Sequence, residues 1–317
     1  MNGLSLIDLH CDTLYELFKH EKNLDQNDCK ISLENLTPYD HYAQFFASWC
    51  SYKYDDDQGY SIFLQMDDYL SAQLSNPAIA ARICRVRTAD ELQTAWNQKK
   101  HAAILAIEDA RILGGDLTRM DELARRGVRY MTLLWNGDTC IGGAFNTDNG
   151  LTPFGKDAVK RAFELGIVPD LSHCSEQSAE DALELAALAG RPVIASHSDS
   201  FTVHAHRRNL RDRHFEAIRD GGGLVGLNLY CAHLRDESKG KATVDDVVRH
   251  AEHYLSLGGE NTVAMGGDWD GAELPEGFST IADAEMIANA MARLGYSDTL
   301  IGKIFYQNAL DFIKRSF

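Results

Sequence analysis

Hydrophobic positions along this chain follow two patterns that alternate. Short apolar or β-branched runs of strand length are separated by longer segments in which apolar residues recur at helical spacing. We count eight of the short runs along the chain. In order they are LSLIDLH, AQFFASW, AAILAIE, RYMTLLW, GIVPDLSH, PVIASHS, GLVGLNLY and TVAMGGD.

The segments between these runs carry signals for the starts and ends of helices. Capping pairs that predict helix starts are Thr88 with Glu91, Ser178 with Asp181, and Thr243 with Asp246. Glycines that predict helix ends are Gly127, Gly166, Gly190 and Gly258. A strand proline gives up a ladder donor, so we expect a bulge at Pro169 in the fifth run.

Apolar strands that alternate with helices are typical of a parallel sheet covered by helices. Eight such units predict an α/β fold of the (β/α)8 TIM barrel type. No internal repeat, low-complexity tract or linker divides the chain. We therefore expect a single barrel domain over residues 1–317.

The charge balance excludes one class of partner. The chain has 47 Asp and Glu against 31 Lys and Arg, which gives a net charge of −16. This charge repels phosphate backbones and anionic membranes, so nucleic acid is not an expected partner.

The N-terminal residues and the cysteines predict a cytoplasmic protein without membrane attachment. The start MNGLSLIDLH has neither a basic region nor a long apolar region, and no run approaches the roughly 20 apolar residues of a membrane span. The 7 cysteines are odd in number, scattered and free of C-x-x-C pairs, which favours reduced thiols over a disulfide framework.

Histidines and carboxylates lie at the ends of the predicted strands. They are His10 and Asp12 after the first strand, Glu108 after the third, His173 after the fifth, His197 after the sixth and Asp268 after the eighth. The carboxyl ends of barrel strands converge on one face, where the active sites of this fold lie. His10 and Asp12 are two positions apart, which places them on one side of a strand at about 7 Å, near enough to bind one ion.

These residue types predict a metal site. Imidazole and carboxylate ligands suit Zn²⁺, and the number of groups exceeds what one catalytic zinc needs, so two metals bridged by a carboxylate fit better. Each residue also has an ordinary interpretation: a strand-end histidine is usually hydrogen-bonded or exposed, and Asp268 in GGDWDG fits a turn. The joint placement favours the metal site.

Three other features are predicted to have no catalytic role. His250 and His253 share a helix face without a convergent carboxylate, so we expect a solvated face. The segments GLTPFGKD and GGGLVG nearly match nucleotide-binding loops, but the first follows no strand and the second leads into one. Both are predicted to be turns.

Six segments resemble the successive signatures of a known family. DLHCDTL, AIEDA, DLSHCS, ASHSDS, HRRNLRD and GGDWDG are similar, in the same order, to motifs of the membrane (renal) dipeptidase family of metallopeptidases in the amidohydrolase superfamily. The similarity runs from about residue 5 to about residue 310. It implies a (β/α)8 barrel with two zinc ions and a dipeptide substrate.

The resemblance also implies a division of the metal ligands. His10 and Asp12 would bind one zinc ion, His173 and His197 would bind the other, and Glu108 would bridge both.

The same resemblance implies roles at the substrate. Arg208 and Tyr230 would bind the terminal carboxylate, for which the planar fork of an arginine is suited, and Asp268 would transfer protons at the scissile bond. The mammalian pattern has a histidine that polarises the carbonyl oxygen, where this chain has Trp135. The next residue, Asn136, could donate instead.

The sequence thus predicts a binuclear zinc dipeptidase that uses a metal-activated bridging water. The resemblance to the family also implies a homodimer. One alternative is another hydrolase of the amidohydrolase type, acting on an N-acyl amino acid, a lactone or a cyclic amide. Another is a non-catalytic metal-binding relative, because Trp135 replaces the histidine of the family pattern.

Overall fold

A curled parallel β-sheet forms the centre of the computed structural model, which describes residues 4–317. Its strands are β1 (Leu4–Cys11), β2 (Tyr39–Ser48), β3 (Ile83–Arg85), β4 (His101–Glu108), β5 (Val128–Thr132), β6 (Val168–Asp170), β7 (Val225–Leu227) and β8 (Val263–Met265).

Helices connect the strands and cover the sheet. They are α1 (Thr13–Lys19), α2 (Asp56–Ser75), α3 (Pro77–Ala80), α4 (Ala89–Asn97), α5 (Arg119–Arg126), α6 (Pro153–Leu165), α7 (Glu176–Ala189), α8 (Asp212–Asp220), α9 (Cys231–Leu234), α10 (Val244–Ser256), α11 (Glu285–Arg293), α12 (Asp298–Gly302) and α13 (Asn308–Ser316). A π-helical segment, Lys303–Gln307, joins α12 to α13. Short 3₁₀ segments are Leu33–Leu36, Ala110–Leu113, Glu237–Lys239, Gly259–Asn261 and Ile281–Ala284.

The strands pair in the order β6-β5-β4-β2-β1-β8-β7, and β3 pairs with the first residues of β4. Every strand pair is parallel. Beyond the two ends of this order, Ile194 forms a bridge with Asp170, and Ala195 forms a bridge with Val225. The chain between β6 and β7 therefore contacts both end strands of the sheet.

The sixth predicted strand, PVIASHS, is wrong as a regular strand. Only Ile194 and Ala195 form bridges, and the chain turns at Ser196. The Ser196 carbonyl oxygen lies so close to Gly226 and Gly266 that a Cβ atom on either glycine would come within 1.9 and 1.8 Å of it. This close approach needs glycine on the neighbouring strand ends and leaves little room for a longer strand. The short strand β3 had no counterpart in the prediction.

Pro169 does not cause the expected bulge. It pairs with Met131 in a continuous register between β5 and β6. Its carbonyl oxygen accepts a hydrogen bond from the N–H of Ile194 at 3.1 Å. The strand keeps its pairing because the flanking residues and the Pro169 carbonyl supply the bonds.

Two of the three predicted helix caps are confirmed. The Thr88 hydroxyl accepts from the Glu91 N–H at the start of α4, and Thr243 forms a capping box with Asp246. The Ser178 cap is wrong, because α7 begins earlier and Ser175 caps it. The glycines that end α5, α6 and α7 have left-handed backbone conformations, as the C-cap requires.

An apolar cluster supports the sheet beneath the polar strand ends. Ala102, Ile104 and Ala106 of β4 belong to this cluster with Trp96 of α4 and Phe312 of α13. Because strand side chains alternate, Glu108 continues the face of these three β4 residues at the carboxyl end. The fold thus places a carboxylate directly above a buried apolar layer. Within residues 4–317, no helix is both long and apolar enough to cross a membrane.

Candidate active site

A cavity of about 390 Å³ opens where the carboxyl ends of the strands meet. Residues predicted for the site line it from seven separate chain segments. The predicted residues at the cavity wall are Asp12, Glu108, Asn136, His173, Arg208, Tyr230 and Asp268. His10 and His197 lie behind them and are almost fully buried.

A bulge in β1 directs His10 toward this site. Between Asp8 and Cys11 the pairing of β1 with β2 contains one extra β1 residue. Leu9 belongs to the inner apolar cluster, and strict alternation would send the next side chain to the opposite face. The bulge turns His10 back, so that its ring contacts Tyr130 of the same cluster. The regular two-residue alternation expected for His10 and Asp12 is therefore absent, although their side chains do come together.

Glu108 lies at the centre of the histidines. Its Oε1 is 3.0 Å from Nε2 of His173 and 3.6 Å from Nε2 of His197. Its Oε2 is 3.6 Å from Nε2 of His10. The Oδ2 of Asp12 is 3.9 Å from the same His10 nitrogen. All five residues predicted as metal ligands are brought together.

Hydrogen bonds fix the proton of His10 on Nδ1. The Tyr130 hydroxyl donates to the carbonyl oxygen of Leu9 at 2.8 Å. It therefore accepts from Nδ1 of His10, also at 2.8 Å, because its only proton is already used. The Nε2 of His10 is left with a lone pair that faces Glu108.

The other two histidines are fixed in the same way. Nδ1 of His173 donates to the Trp135 carbonyl oxygen at 3.0 Å. The Ser196 hydroxyl donates to Asp170 at 2.6 Å and so accepts from Nδ1 of His197 at 2.7 Å. Both Nε2 atoms therefore also present lone pairs to the site.

These lone pairs fit bound metal cations. Nε2 of His173 and Nε2 of His197 are only 3.1 Å apart, and neither carries a proton to place between them. Nε2 of His10 and Oδ1 of Asp12 are buried without a hydrogen-bond partner among residues 4–317. Such a cluster of acceptors is unfavourable unless a cation fills it. The donor set of imidazole and carboxylate suits Zn²⁺.

The electrostatics of the cluster also favour a positive charge. Burial alone would lower the pKa of His10, but the carboxylates of Glu108 and Asp12 outweigh it and raise that pKa to about 10. Burial and the charge of Glu108 raise the pKa of the Asp12 carboxyl well above its usual range. Without a cation, the His10 ring therefore takes a second proton on the Nε2 that faces Glu108, and a divalent cation would replace that proton and bind the lone pair of the neutral ring.

Asp8 and Asp170, two buried carboxylates, support the histidines from behind. Asp8 accepts from the His10 N–H at 3.0 Å and from the indole of Trp269 at 3.1 Å. Asp170 accepts from the Ser196 hydroxyl and N–H. These bonds hold the strand ends that carry the ligands, which limits movement of the site.

Asp268 and His173 both have left-handed backbones, with φ of 55° and 68°. Non-glycine residues rarely adopt this region and do so mainly at functional sites. An Oδ atom of Asp268 lies within 4.8 Å of ligand atoms of His10 and Asp12. Its Oδ2 accepts from the Asn228 side chain at 3.3 Å. Asp268 therefore borders the metal cluster in a fixed orientation.

Arg208 is a buried cation in the cavity wall. Its guanidinium donates to the Ser198 hydroxyl at 2.9 Å and to the His197 carbonyl oxygen at 3.0 Å. No carboxylate of the described chain forms an ion pair with it, and its Nε has no partner there. Burial lowers the pKa of Arg208, yet an arginine remains charged, so this site favours an anion.

Comparison with known proteins now identifies the family. A family model described as membrane dipeptidase, peptidase family M19, matches residues 1–316. The chain belongs to the membrane dipeptidase family. The resemblance inferred from the sequence motifs is thereby confirmed, and the enzyme class is that of a metallo-dipeptidase, a hydrolase.

Curated relatives of the family are similar over most of this chain. A Klebsiella pneumoniae protein, described as an uncharacterized protein in the pqqA 5' region, is 29% identical over 255 residues, which are 77% of this chain and 92% of that protein. A Schizosaccharomyces pombe protein described as an uncharacterized dipeptidase is 31% identical over 216 residues, which are 66% of this chain. The match covers 51% of the yeast protein, about half its length.

Solved structures of the family share the fold. Dipeptidase AC, a metallopeptidase of family M19, is 27% identical, with a TM-score of 0.89 over 99% of both chains. A metallopeptidase from Rhodobacter sphaeroides, solved with a phosphinate mimic of the dipeptide L-Ala-D-Ala, is 26% identical. Its TM-score is 0.90 over 99% of this chain and 100% of that chain.

Tyr230, Trp135 and Asn136 also line the cavity. The carbonyl of Trp135 holds His173, and its ring packs against Trp49 with centroids 5.0 Å apart. Trp135 thus helps to position a histidine of this dipeptidase-family site and forms an aromatic wall. The Tyr52 hydroxyl bonds to the Asn136 backbone, but the Asn136 side chain forms no hydrogen bond within residues 4–317, so its amide is available to a bound molecule.

Several residues that line the cavity carry no signal in the sequence patterns. They are Tyr15, Glu16, Trp49, Phe145, His233, Asp270 and Gly271. None has a spacing signal, since each comes from a loop or a helix start beyond a strand. The predicted solvated face at His250 is wrong. This histidine is buried and joins the Ser200 N–H to the Leu234 carbonyl oxygen.

Tyr130→Phe should weaken metal binding at His10. The change removes only the hydroxyl that fixes the His10 tautomer, and the ring stays in the apolar cluster. Loss of such a supporting bond typically costs about 10-fold to 100-fold in metal affinity. Competition with a chelator measures the affinity.

Tyr254→Phe is the matched control for this prediction. Tyr254 is equally buried, and its hydroxyl donates to the Ser198 carbonyl oxygen at 3.2 Å, away from the histidines. It should lower thermal stability without weakening metal binding. Equal metal affinities in the two variants would contradict the role of Tyr130.

Proposed function

We propose that this chain hydrolyses the peptide bond of dipeptides with the help of two zinc ions. The observation that carries the proposal is the set of three Nε2 atoms, of His10, His173 and His197, that face the carboxylate of Glu108 while the Nδ1 atom of each ring is held by a hydrogen bond. Membership in the membrane dipeptidase family supports the same reaction.

The residues fit two ions that share one bridging ligand. His10 and Asp12 would hold one, His173 and His197 the other, and the two oxygens of Glu108 would bridge them. When bound, the zinc ions supply Lewis acidity that activates a bridging water near neutral pH.

Arg208 and Tyr230 would bind the terminal carboxylate of the substrate. The buried guanidinium has no ion pair among the described residues, so a substrate carboxylate would provide the missing counter-charge. Tyr230 lines the same cavity and presents a phenol. This anchoring would favour short peptides with a free carboxylate over long chains.

Asp268 would move protons at the scissile bond. Asn228 holds its Oδ2, which leaves Oδ1 to accept the proton of the water and to pass it to the leaving amine. Asn136, which follows the Trp135 that stands in place of the family histidine, would donate its side-chain amide to the substrate carbonyl oxygen. Such a donor stabilises the negative charge that develops on that oxygen.

A closed (β/α)8 barrel in a single domain would provide the frame for this site. The bridges of Ile194 and Ala195 support closure, because they join β6 to β7 through one short extended segment. The cytoplasmic location, the homodimer and the lack of a nucleic-acid partner stay predictions from the sequence.

A panel of substrates tests the proposed function. The zinc-loaded protein should cleave L-L or L-D dipeptides that have a free amine and a free carboxylate, and a chelator should stop it. Acetylation of the amine should abolish cleavage. Metal content should be about two zinc ions per chain.

Other outcomes of the panel would assign other functions. Cleavage of N-acyl amino acids, lactones or cyclic amides in preference to dipeptides would indicate a different hydrolase at the same metal site. Two bound metals without any turnover would indicate a non-catalytic relative, and the aromatic wall at Trp135 would then be the first place to examine.

A further inference from the structure

We propose that His233 is a third donor to the substrate carboxylate, beside Arg208 and Tyr230. The inference rests on the dipeptidase function proposed above. It assigns a binding role to a histidine that belongs to none of the groups around Glu108.

The fold holds His233 at the cavity wall. It lies in α9, the single helical turn that follows β7, and only 7% of it is exposed. Its ring lines the cavity and is 4.7 Å from the ring of Tyr230, measured between centroids. The Asn209 side chain donates to the His233 carbonyl oxygen at 2.7 Å, which anchors the backbone of the turn.

The orientation of Asn228 determines which nitrogen of His233 carries the proton. The side-chain oxygen of Asn228 accepts from the Tyr230 N–H at 2.7 Å, so its amide nitrogen points the other way. That nitrogen is 3.5 Å from Nδ1 of His233. The two amide hydrogens have nearer acceptors in the His197 carbonyl oxygen and Asp268 Oδ2, both at 3.3 Å, but a proton on Nδ1 of His233 would face this donor group, so the ring proton lies on Nε2.

The Nε2–H group of His233 is available to a ligand. It forms no hydrogen bond to any group within residues 4–317, and the ring faces the cavity. Burial, together with the nearby charge of Arg208, lowers the pKa of His233 well below its usual value. The ring is therefore a neutral donor, which can lie beside a guanidinium without repelling it.

Arg208 and His233 would contribute different things to binding. The guanidinium supplies the counter-charge, and the imidazole supplies a directional hydrogen bond to a second carboxylate oxygen. Tyr230 lines the cavity directly before α9, and its phenol is the third donor to the carboxylate. Three donors around one carboxylate would exclude substrates that lack this group.

Binding of two inhibitors tests the proposal without any need for turnover. Both are phosphinate mimics of alanyl-glycine, and one has a methyl group in place of the terminal carboxylate. Calorimetry with the zinc-loaded protein measures both affinities. His233→Phe should weaken binding of the carboxylate inhibitor about 10-fold to 100-fold. It should change the affinity for the methyl inhibitor less than about twofold.

A conservative variant and a control make the result specific. His233→Gln should recover most of the affinity, because a glutamine amide reaches the position of Nε2. His204→Gln should bind both inhibitors like the wild type, since His204 does not line the cavity. His204 is a suitable control because it is a nearby histidine, whose ring centroid is 6.1 Å from that of His206. Thermal unfolding of each variant checks that it is folded.

The possible failures are distinguishable. If His233→Phe lost no affinity for the carboxylate inhibitor, or lost affinity equally for both inhibitors, the role of His233 would be overturned and the dipeptidase function would stay intact. A wild-type protein that binds neither inhibitor would contradict the dipeptidase function, and the role of His233 with it.

Discussion

Replacing Glu108 with Gln will abolish the binding of a metal pair and reduce dipeptide hydrolysis on the order of a thousandfold. Within residues 4–317, Glu108 is the one residue whose two oxygens face different histidines, with His173 on one side and His10 on the other. An amide offers a single neutral oxygen, so it cannot bridge two cations. The remaining ligands could hold at most one ion well.

The same substitution should make the protein insensitive to chelators. The introduced NH₂ group can donate its two hydrogens to the Nε2 lone pairs of His173 and His197, so it can satisfy these two acceptors without a metal. Wild-type protein should lose thermal stability when a chelator removes its metals, because the buried acceptors are then unsatisfied. The Glu108→Gln variant should unfold at nearly the same temperature with and without chelator.

A surface control separates this effect from a general loss of charge. Glu176 forms ion pairs with Arg211 and Arg213 outside the histidine cluster. Glu176→Gln should retain both metals, full activity and the response to chelator. Two metals and full activity in Glu108→Gln would show that the assigned bridge is wrong.

The strand ends of this site could be predicted because they depend on local patterns. The sequence shows β4 as the continuous apolar run AAILAI, and Glu108 is the residue that ends this run. His173, His197 and Asp268 likewise follow apolar runs. A parallel sheet brings such ends together whatever the details of the loops.

The geometry of His10 and His197 could not be predicted in the same way. The extra residue in β1 that turns His10 depends on pairing with β2, about 35 residues away in the chain. The turn at Ser196 lies against two distant glycines, Gly226 in β7 and Gly266 directly after β8. Tertiary contacts override the local strand pattern at both places.

The sequence patterns also could not predict the residues that support the site from behind its ligands. Tyr130 reads as a core aromatic, yet its hydroxyl fixes His10 across 120 positions of sequence. Trp135 acts through its carbonyl oxygen, which every residue type has. His233 carries no motif and became visible only through the orientation of Asn228.

Replacing Asp268 with Asn should lower kcat about 100-fold to 10,000-fold and leave KM and metal content close to wild type. Asparagine accepts a left-handed backbone, so it can keep the φ of 55° found here. Its side-chain oxygen can still accept from Asn228. The substitution therefore removes the ability to bind and release a proton while it preserves the shape of the loop. Steady-state kinetics and metal analysis on the same sample measure both quantities.

Asp270→Asn is the matched control because Asp270 lies in the same loop, with a φ of 67°. Its carboxylate accepts from the Thr13 hydroxyl at 2.6 Å and from the Lys30 N–H at 2.7 Å, so its role is to hold the loop. This variant should lose stability but less than about tenfold in kcat. If Asp268→Asn kept wild-type kcat, Asp268 would have no role in proton transfer. If it lost metal together with kcat, Asp268 would instead be a metal ligand, because it lies within 4.8 Å of His10 and Asp12.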